Sequence, residues 1–259
     1  MKNIHVSYNV FDNEELLEAS IRKIKEIVSE VTVIYQEISN FGQQADQSLF
    51  DVIDHLKNQN LIDNLVLYKT NTFLSPQLNE LKKNNFGYQM AKEKKLDYHM
   101  GMACDEFYFR DEFLDLLNIL EENPVDLVTS YMYTYYKSSK YRFKEIENYV
   151  VPVLNKVYQD GRNYKISSPS PILIDPTRKM IYDSYICLPK EKPLMHHLSH
   201  VRKDFRKKLE NSTANINWYD KIDKMVSHYE SWVPIEDAFL FGDYVELEET
   251  DRFEEELTF

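Results

Sequence analysis

The sequence predicts an α/β protein with a mostly parallel central sheet flanked by helices. Three observations carry this. Short apolar, β-branched runs alternate with amphipathic helical stretches through the first 110 or so of the 259 residues. Four of the runs are bounded by turn or cap residues. The last of them ends in two adjacent carboxylates, Asp105 and Glu106.

The elements follow in order. Residues 4–10 form a β run, Ile-His-Val-Ser-Tyr-Asn-Val. Asn13-Glu14-Glu15 opens a helix with acids in its first turn, where the macrodipole favours them. That helix carries Leu16, Leu17, Ile21, Ile24, Ile27 and Val28 at helical spacing. Residues 31–38 read as a second strand, 39–42 as a loop, 48–61 as a second helix and 64–68 as a third strand. Ser75-Pro76 starts a third helix that runs to about Lys95, because serine caps well and proline suits the first helical turn. The acid-tipped strand follows, then a helix over 111–121. After Pro124 the texture changes: 125–136, 141–143, 150–158 and 172–174 read as antiparallel or mixed strands. From Pro193 the pattern is helical and polar, and 243–257 reads as an acidic surface helix or tail. The simplest organisation is a core over 1–190 with a C-terminal helical extension over 191–259 that completes the active site.

Composition narrows the function classes. The net charge is −12 and the isoelectric point is about 5.1. Such a protein gains little from phosphate backbones, so nucleic acid is a disfavoured partner and anionic membranes are too. Two cysteines, Cys104 and Cys187, make neither a disulfide framework nor a zinc spacing, which suits a reducing cytoplasm. No signal peptide is visible at the N-terminus, and no run reaches the ~18 apolar residues needed to span a bilayer. With 5 glycines there is no Gly-rich phosphate loop, and no Gly-x-Ser-x-Gly elbow occurs. The 19 tyrosines suit half-buried strands or a groove for sugars or bases.

The chemistry is read from the strand ends. Ligands of open α/β sheets bind beyond the carboxyl ends of the strands. Tyr8 and Asn9 end the first strand, Gln36 to Ser39 the second, and Asp105-Glu106 the fourth. An acid pair on a rigid strand end suits a divalent cation, and a cation suits a diphosphate that bare carboxylates would repel. Three of the seven histidines, His196, His197 and His200, lie within five residues. On a helix, His196 and His200, or His197 and His200, would share a face. Imidazole accepts Mn²⁺ more readily than Mg²⁺, so Mn²⁺ is the preferred ion. Arg202 and Lys203 follow as candidate cations for a leaving diphosphate. Lys83 and Asn84 are candidate nucleotide contacts, with exposed helix positions as the alternative.

These segments resemble a known family. Asn85-Phe86-Gly87-Tyr88-Gln89-Met90-Ala91, then Met102-Ala103-Cys104-Asp105-Glu106-Phe107, together with Val6-Ser7-Tyr8-Asn9, are similar to family-2-type glycosyltransferases with the GT-A fold. The resemblance covers roughly residues 4–110. It implies a nucleotide-diphosphate sugar donor, UDP-linked by preference, a metal held by Asp105 and completed by His197 or His200, and transfer to an acceptor hydroxyl. The default acceptor is a glycan or lipid-linked glycan, with a hydroxylated DNA base as a second class. Ala103 departs from the family: it stands where the first acid of Asp-x-Asp contacts the ribose or the metal shell. Glu236-Asp237 resembles the acid pair whose aspartate serves inverting relatives as general base, so Asp237 is a candidate base; Asp175, in Ile174-Asp175-Pro176, is another acid after a strand, and the base stays unassigned. Two alternatives stay open. One is a nucleotidyltransferase. The other is a degenerate GT-A protein acting as a glycan-binding or scaffold protein.

Overall fold

The computed structural model describes residues 2–170, 172–234 and 236–259. Strand β1 (Ile4–Val10) is buried along nearly its whole length, and only Asn9 keeps partial exposure. Apolar Ile4, Val6, Tyr8 and Val10 alternate with polar His5, Ser7 and Asn9, yet both faces are covered: the polar one is satisfied by His5 with Thr32 and Ser7 with His99. Helix α1 (Glu14–Ile24) covers one face by burying Leu16, Leu17, Ile21 and Ile24. Each such side chain contributes about 1.5–3 kcal/mol by leaving water. Strand β2 (Glu30–Tyr35), helix α2 (Gln47–Asn58) and the half-exposed edge strand β3 (Asn64–Leu67) follow. Helix α3 (Pro76–Glu93) starts where expected: the Ser75 hydroxyl accepts from the Leu78 amide, and Pro76 occupies the first turn. Strand β4 (Tyr98–Ala103) leads to a two-residue strand β5 (Glu106–Phe107) and helix α4 (Arg110–Glu122).

The next strands are β6 (Leu127–Ser130), β7 (Met132–Tyr136), β8 (Ser138–Phe143), β9 (Val151–Lys156) and β10 (Tyr185–Cys187). The central sheet has the order β10-β6-β9-β4-β1-β2-β3. Its pairs β1–β2, β1–β4, β2–β3 and β6–β10 are parallel, and β9 alone runs against its neighbours. The expected class therefore holds: a mixed, mostly parallel sheet between helices.

The remaining elements are strand β11 (Met195–His200), helices α5 (Phe205–Asn211) and α6 (Ile222–Ser231), and strands β12 (Ala238–Leu240), β13 (Asp243–Val245) and β14 (Leu247–Glu249). A second sheet takes the order β14-β8-β7-β11-β5. It draws strands from both sides of residue 190, so that boundary does not separate two sheets.

Three local expectations change. The histidine segment is a strand, not a helix: β11 pairs parallel to β7 and antiparallel to β5, with a register shift between His197 and His200. Residues 172–174 form no strand, and a short 3₁₀ turn, Pro176–Arg178, follows them. Residues 243–257 hold β13 and β14, and β14 closes on β8. For the histidine segment and β14, pairing partners far along the chain decided the backbone state, which local periodicity does not report; β13 pairs with the adjacent β12.

One glycine sets the height of α3 above the sheet. A Cβ on Gly87 would stand 2.2 Å from Ser7 Oγ and 2.9 Å from His99 Nε2. Glycine therefore lets the helix backbone lie directly on β1 and β4. Beneath it, Ser7 Oγ and His99 Nε2 are 2.8 Å apart, and His99 Nδ1 meets the Tyr164 hydroxyl at 2.8 Å. Burial, with the nearby His5 and Arg178, holds the His99 pKa well below the ordinary histidine value.

Candidate active site

The close approach of α3 carries Lys83 and Asn84, one turn before Gly87, down to the strand ends. There a cavity of about 460 Å³ opens beyond the carboxyl ends of β1, β2 and β4. Asn9, Gln36, Ser39, Lys83, Asn84, Ala103, Asp105 and His197 all line it. This is the crevice the strand order requires, and eight of the residues singled out from sequence meet there.

Its polar groups are pre-set by one another. The Lys83 ammonium is 3% exposed; it donates to Gln36 Oε1 at 2.6 Å and pairs with Glu80 at 2.6 Å. Asn9 donates to Asn84 Oδ1 at 2.8 Å, and Asn84 donates to Thr177 Oγ1 at 3.0 Å. The Thr177 hydroxyl in turn donates to Asp175 Oδ1 at 2.8 Å. This relay ties β1, α3 and the 3₁₀ turn into one wall. The relay is satisfied along its length except at Asn9 Oδ1, which is buried without a partner, and its linked bonds make the wall rigid.

Asp105 follows β4 and is 3% exposed at its side chain. Its carbonyl accepts from the Leu198 amide at 2.8 Å, which fastens β11 to the strand end. Its carboxylate oxygen Oδ2 is bonded by Arg202 Nη2. His197 Nε2 lies 3.3 Å from the same oxygen, and Lys208 Nζ lies 4.0 Å from it. Burial pushes the Asp105 pKa up, but the Arg202 charge and His197 outweigh it and hold the group well below the usual carboxylate range. Arg202 is fixed from its other side: its Nε donates to the Ser199 carbonyl at 2.9 Å, and its backbone exchanges bonds with the Tyr229 hydroxyl of α6.

As a set of ion ligands these residues do not fit. Among the described residues no three His, Cys, Asp or Glu side chains form a group that could hold a metal. The one carboxylate expected to do so already carries a guanidinium. A divalent ion about 4 Å from a buried cation would meet roughly 8 kcal/mol of repulsion at an effective dielectric of about 20. His200 stays apart from the cleft: its ring stacks on Phe143 and packs edge-on to Phe205 and Phe241. Burial, then Lys208, keeps its pKa well below the ordinary value.

A second cavity of about 290 Å³ adjoins the first. Tyr149, Asp175, Arg178 and His197 line both. The second also takes Glu106, Thr134, Glu147, Ser199 and His200, with Met132, Val151, Met195 and Phe241 as its apolar part. Arg178 bonds Glu106 at 2.8 Å and sits 3.5 Å from Asp175. Burial opposes its charge, but Glu106 and Asp175 raise its pKa further. Glu106, read from sequence as half of an acid pair, is thus neutralised within the wall.

Other expected residues fall elsewhere. Tyr8 points into the core, where its hydroxyl meets Ser20 at 3.0 Å, because alternation along β1 turns it away from Asn9. Arg202 and Lys203 line a separate cavity of about 580 Å³ with Asp12, Glu15 and Asp46. Lys203 is exposed, and only its backbone amide is engaged, by Glu15 at 3.1 Å. Asp237 is exposed next to β12 and lines neither cavity beside the relay. Sequence reading passed over Asp12, Tyr149, Thr177, Arg178 and Lys208, which line the cleft. Asp175-Pro176 offered a signal, since an acid followed by proline marks a helical start; Asp175 does cap that turn.

No protein-family model matches the chain, and no curated protein matches it. Among solved structures the chain is similar to residues 1–349 of S. aureus TarS, at 11% identity and a TM-score of 0.49, over 88% of this chain and 72% of that one. It is also similar to S. aureus TarS in a longer form, at 11% identity and a TM-score of 0.49, over 90% of this chain and 44% of that one. A third TarS structure, in complex with UDP-GlcNAc, matches at 13% identity and a TM-score of 0.35, over 52% of this chain and 34% of that one.

Proposed function

We propose that the chain is a glycosyltransferase that takes a sugar from a nucleotide-diphosphate donor and passes it to an acceptor hydroxyl. The observation that supports this reading is the relay Asn9–Asn84–Thr177–Asp175 standing at the carboxyl ends of parallel strands. It leads from the end of β1 to the partition between two cavities. The larger cavity suits the donor: it is polar, lies at the strand ends, and presents amide and hydroxyl groups suited to a base and ribose. The smaller cavity suits the acceptor. Its acids Glu106, Glu147 and Asp175 outnumber its cation Arg178, and the acidic balance favours a neutral ligand rich in hydroxyls over a phosphate-bearing one. Asp175 borders both cavities and is the carboxylate best placed to receive the acceptor's proton, whereas Asp237 lines neither cavity.

Thermal shift with UDP, UDP-GlcNAc and GDP-sugars tests the donor half. UDP and UDP-GlcNAc lead because S. aureus TarS 1–349 has been solved in complex with each. A saturable rise in Tm with a nucleotide sugar supports the reading, and none with any of them removes it. Release of free sugar or its transfer then separates an enzyme from a binding protein. Among the described residues no helix is long and apolar enough to cross a membrane.

A further inference from the structure

On that donor reading, we propose that the diphosphate is received by the protein's own cations, with Lys208 as the contact and Arg202 as the positioning residue, so that donor binding needs no divalent metal. The geometry has three parts. Arg202 already occupies the Asp105 carboxylate, and both side chains are nearly sealed from solvent. Lys208 lines the donor cavity, and its closest carboxylate is Asp105 at 4.0 Å, too far for a hydrogen bond. Its ammonium has three donors to offer a ligand. Ala103, also on the cavity wall, removes the second acid that would help to draw a cation in.

Charge placement completes the case. Asp105 compensates Arg202 and leaves Lys208 free to bind a phosphate oxygen. The bond to Arg202 runs through Asp105 Oδ2 alone, and Oδ1 is buried without a hydrogen-bond partner. The Arg202 guanidinium is itself held at Nε by the Ser199 carbonyl, so it cannot swing away to admit an ion without breaking that bond, while the Tyr229 hydroxyl fixes its backbone. Helix α5 supplies Lys208 and β11 supplies His197, which places the post-190 segment at the donor's phosphates. The surrounding charges are Asp12, which shares the cleft wall, and Lys207, which is committed to Asp46 at 2.5 Å.

The test is calorimetry on the full chain with pyrophosphate, UDP and UDP-GlcNAc, each in excess EDTA and in saturating MnCl₂. Wild type is expected to bind at least one nucleotide with equal affinity in both buffers. Lys208→Met is expected to weaken that binding by roughly tenfold or more, as loss of a charge-assisted contact does, and Lys208→Arg to restore most of it. Lys208 is partly exposed, so its variants are expected to keep the wild-type unfolding midpoint. Binding that appears only with Mn²⁺ overturns this inference while leaving the donor reading intact. Binding in EDTA that Lys208→Met leaves unchanged also overturns it. Absence of nucleotide binding in both buffers overturns the donor reading itself, and this inference with it.

Discussion

Arg202 bonds Asp105 across 97 residues of sequence, and the two side chains are 1% and 3% exposed. The strand end that looked from sequence like a cation seat is already neutralised from within. The pair joins the central sheet to the segment that returns over its carboxyl edge.

Asp105→Ala is therefore expected to destabilise the protein by about 3–5 kcal/mol, because it leaves Arg202 buried and unpaired. Asp105→Asn keeps the shape and is expected to cost less. Combining Asp105→Asn with Arg202→Met is expected to recover part of the loss. Urea unfolding of the three variants measures this; equal midpoints for Asp105→Ala and wild type would show that the pair does not matter to folding.

Gly87→Ala is expected to cost roughly 1–3 kcal/mol or more, since the added methyl group would stand 2.2 Å from Ser7 Oγ and 2.6 Å from Ser7 Cβ. Either α3 lifts or Ser7 gives up its contact with His99. Lifting α3 would also displace Lys83 and Asn84, so nucleotide affinity is expected to fall along with stability. A substitution elsewhere on the exposed face of α3, such as Gln89→Ala, is expected to change neither.

Stability is expected to fall steeply as pH drops from about 7 toward 4. His5 is depressed to about 4, chiefly by burial, and burial also lowers His99, His196 and His200. In the unfolded chain each takes a proton near its ordinary value of about 6.5. Between that value and its folded value the unfolded state holds more protons, so each group contributes up to about 1.4 kcal/mol per pH unit in favour of unfolding as pH falls. Asp105 and Asp126 are also depressed, Asp105 by Arg202 against the effect of burial and Asp126 by Lys156 against it. Their contribution is present above about 4 and is lost below it. Denaturant midpoints at pH 7, 6 and 5 check the histidine part. A flat profile over that interval would mean that the buried imidazoles are not neutral in the fold.

Asp175→Asn is expected to lower transfer by about 10²–10⁴-fold while donor affinity stays near the wild-type value. The amide can still accept from Thr177, so the wall holds. Turnover equal to wild type would remove Asp175 from the proton-accepting role. Asp237→Asn is expected to have no effect on either quantity, given its exposure.

Local residue pattern was enough for the layered α/β class, the order of the first four strands and helices, the Ser75-Pro76 start of α3, and the crevice at the strand ends. These are local matters. Apolar period, capping chemistry and the β-α alternation act over a few residues, and the rules for parallel sheets then place the strand ends together. Asn9, Gln36, Ser39, Lys83, Asn84 and Asp105 were legible for that reason. Which partners those groups meet depended on long-range packing. The histidine segment became a strand because β7 and β5 offered hydrogen bonds on both sides of it. His197 came to the cleft while His200 was drawn into an aromatic cluster. Arg202 and Lys208 reached Asp105 because β11 is fastened at the Asp105 carbonyl. A carboxylate's chemistry depends on the charges within a few ångströms of it, and when those charges lie about a hundred residues away along the chain, only folding brings them there.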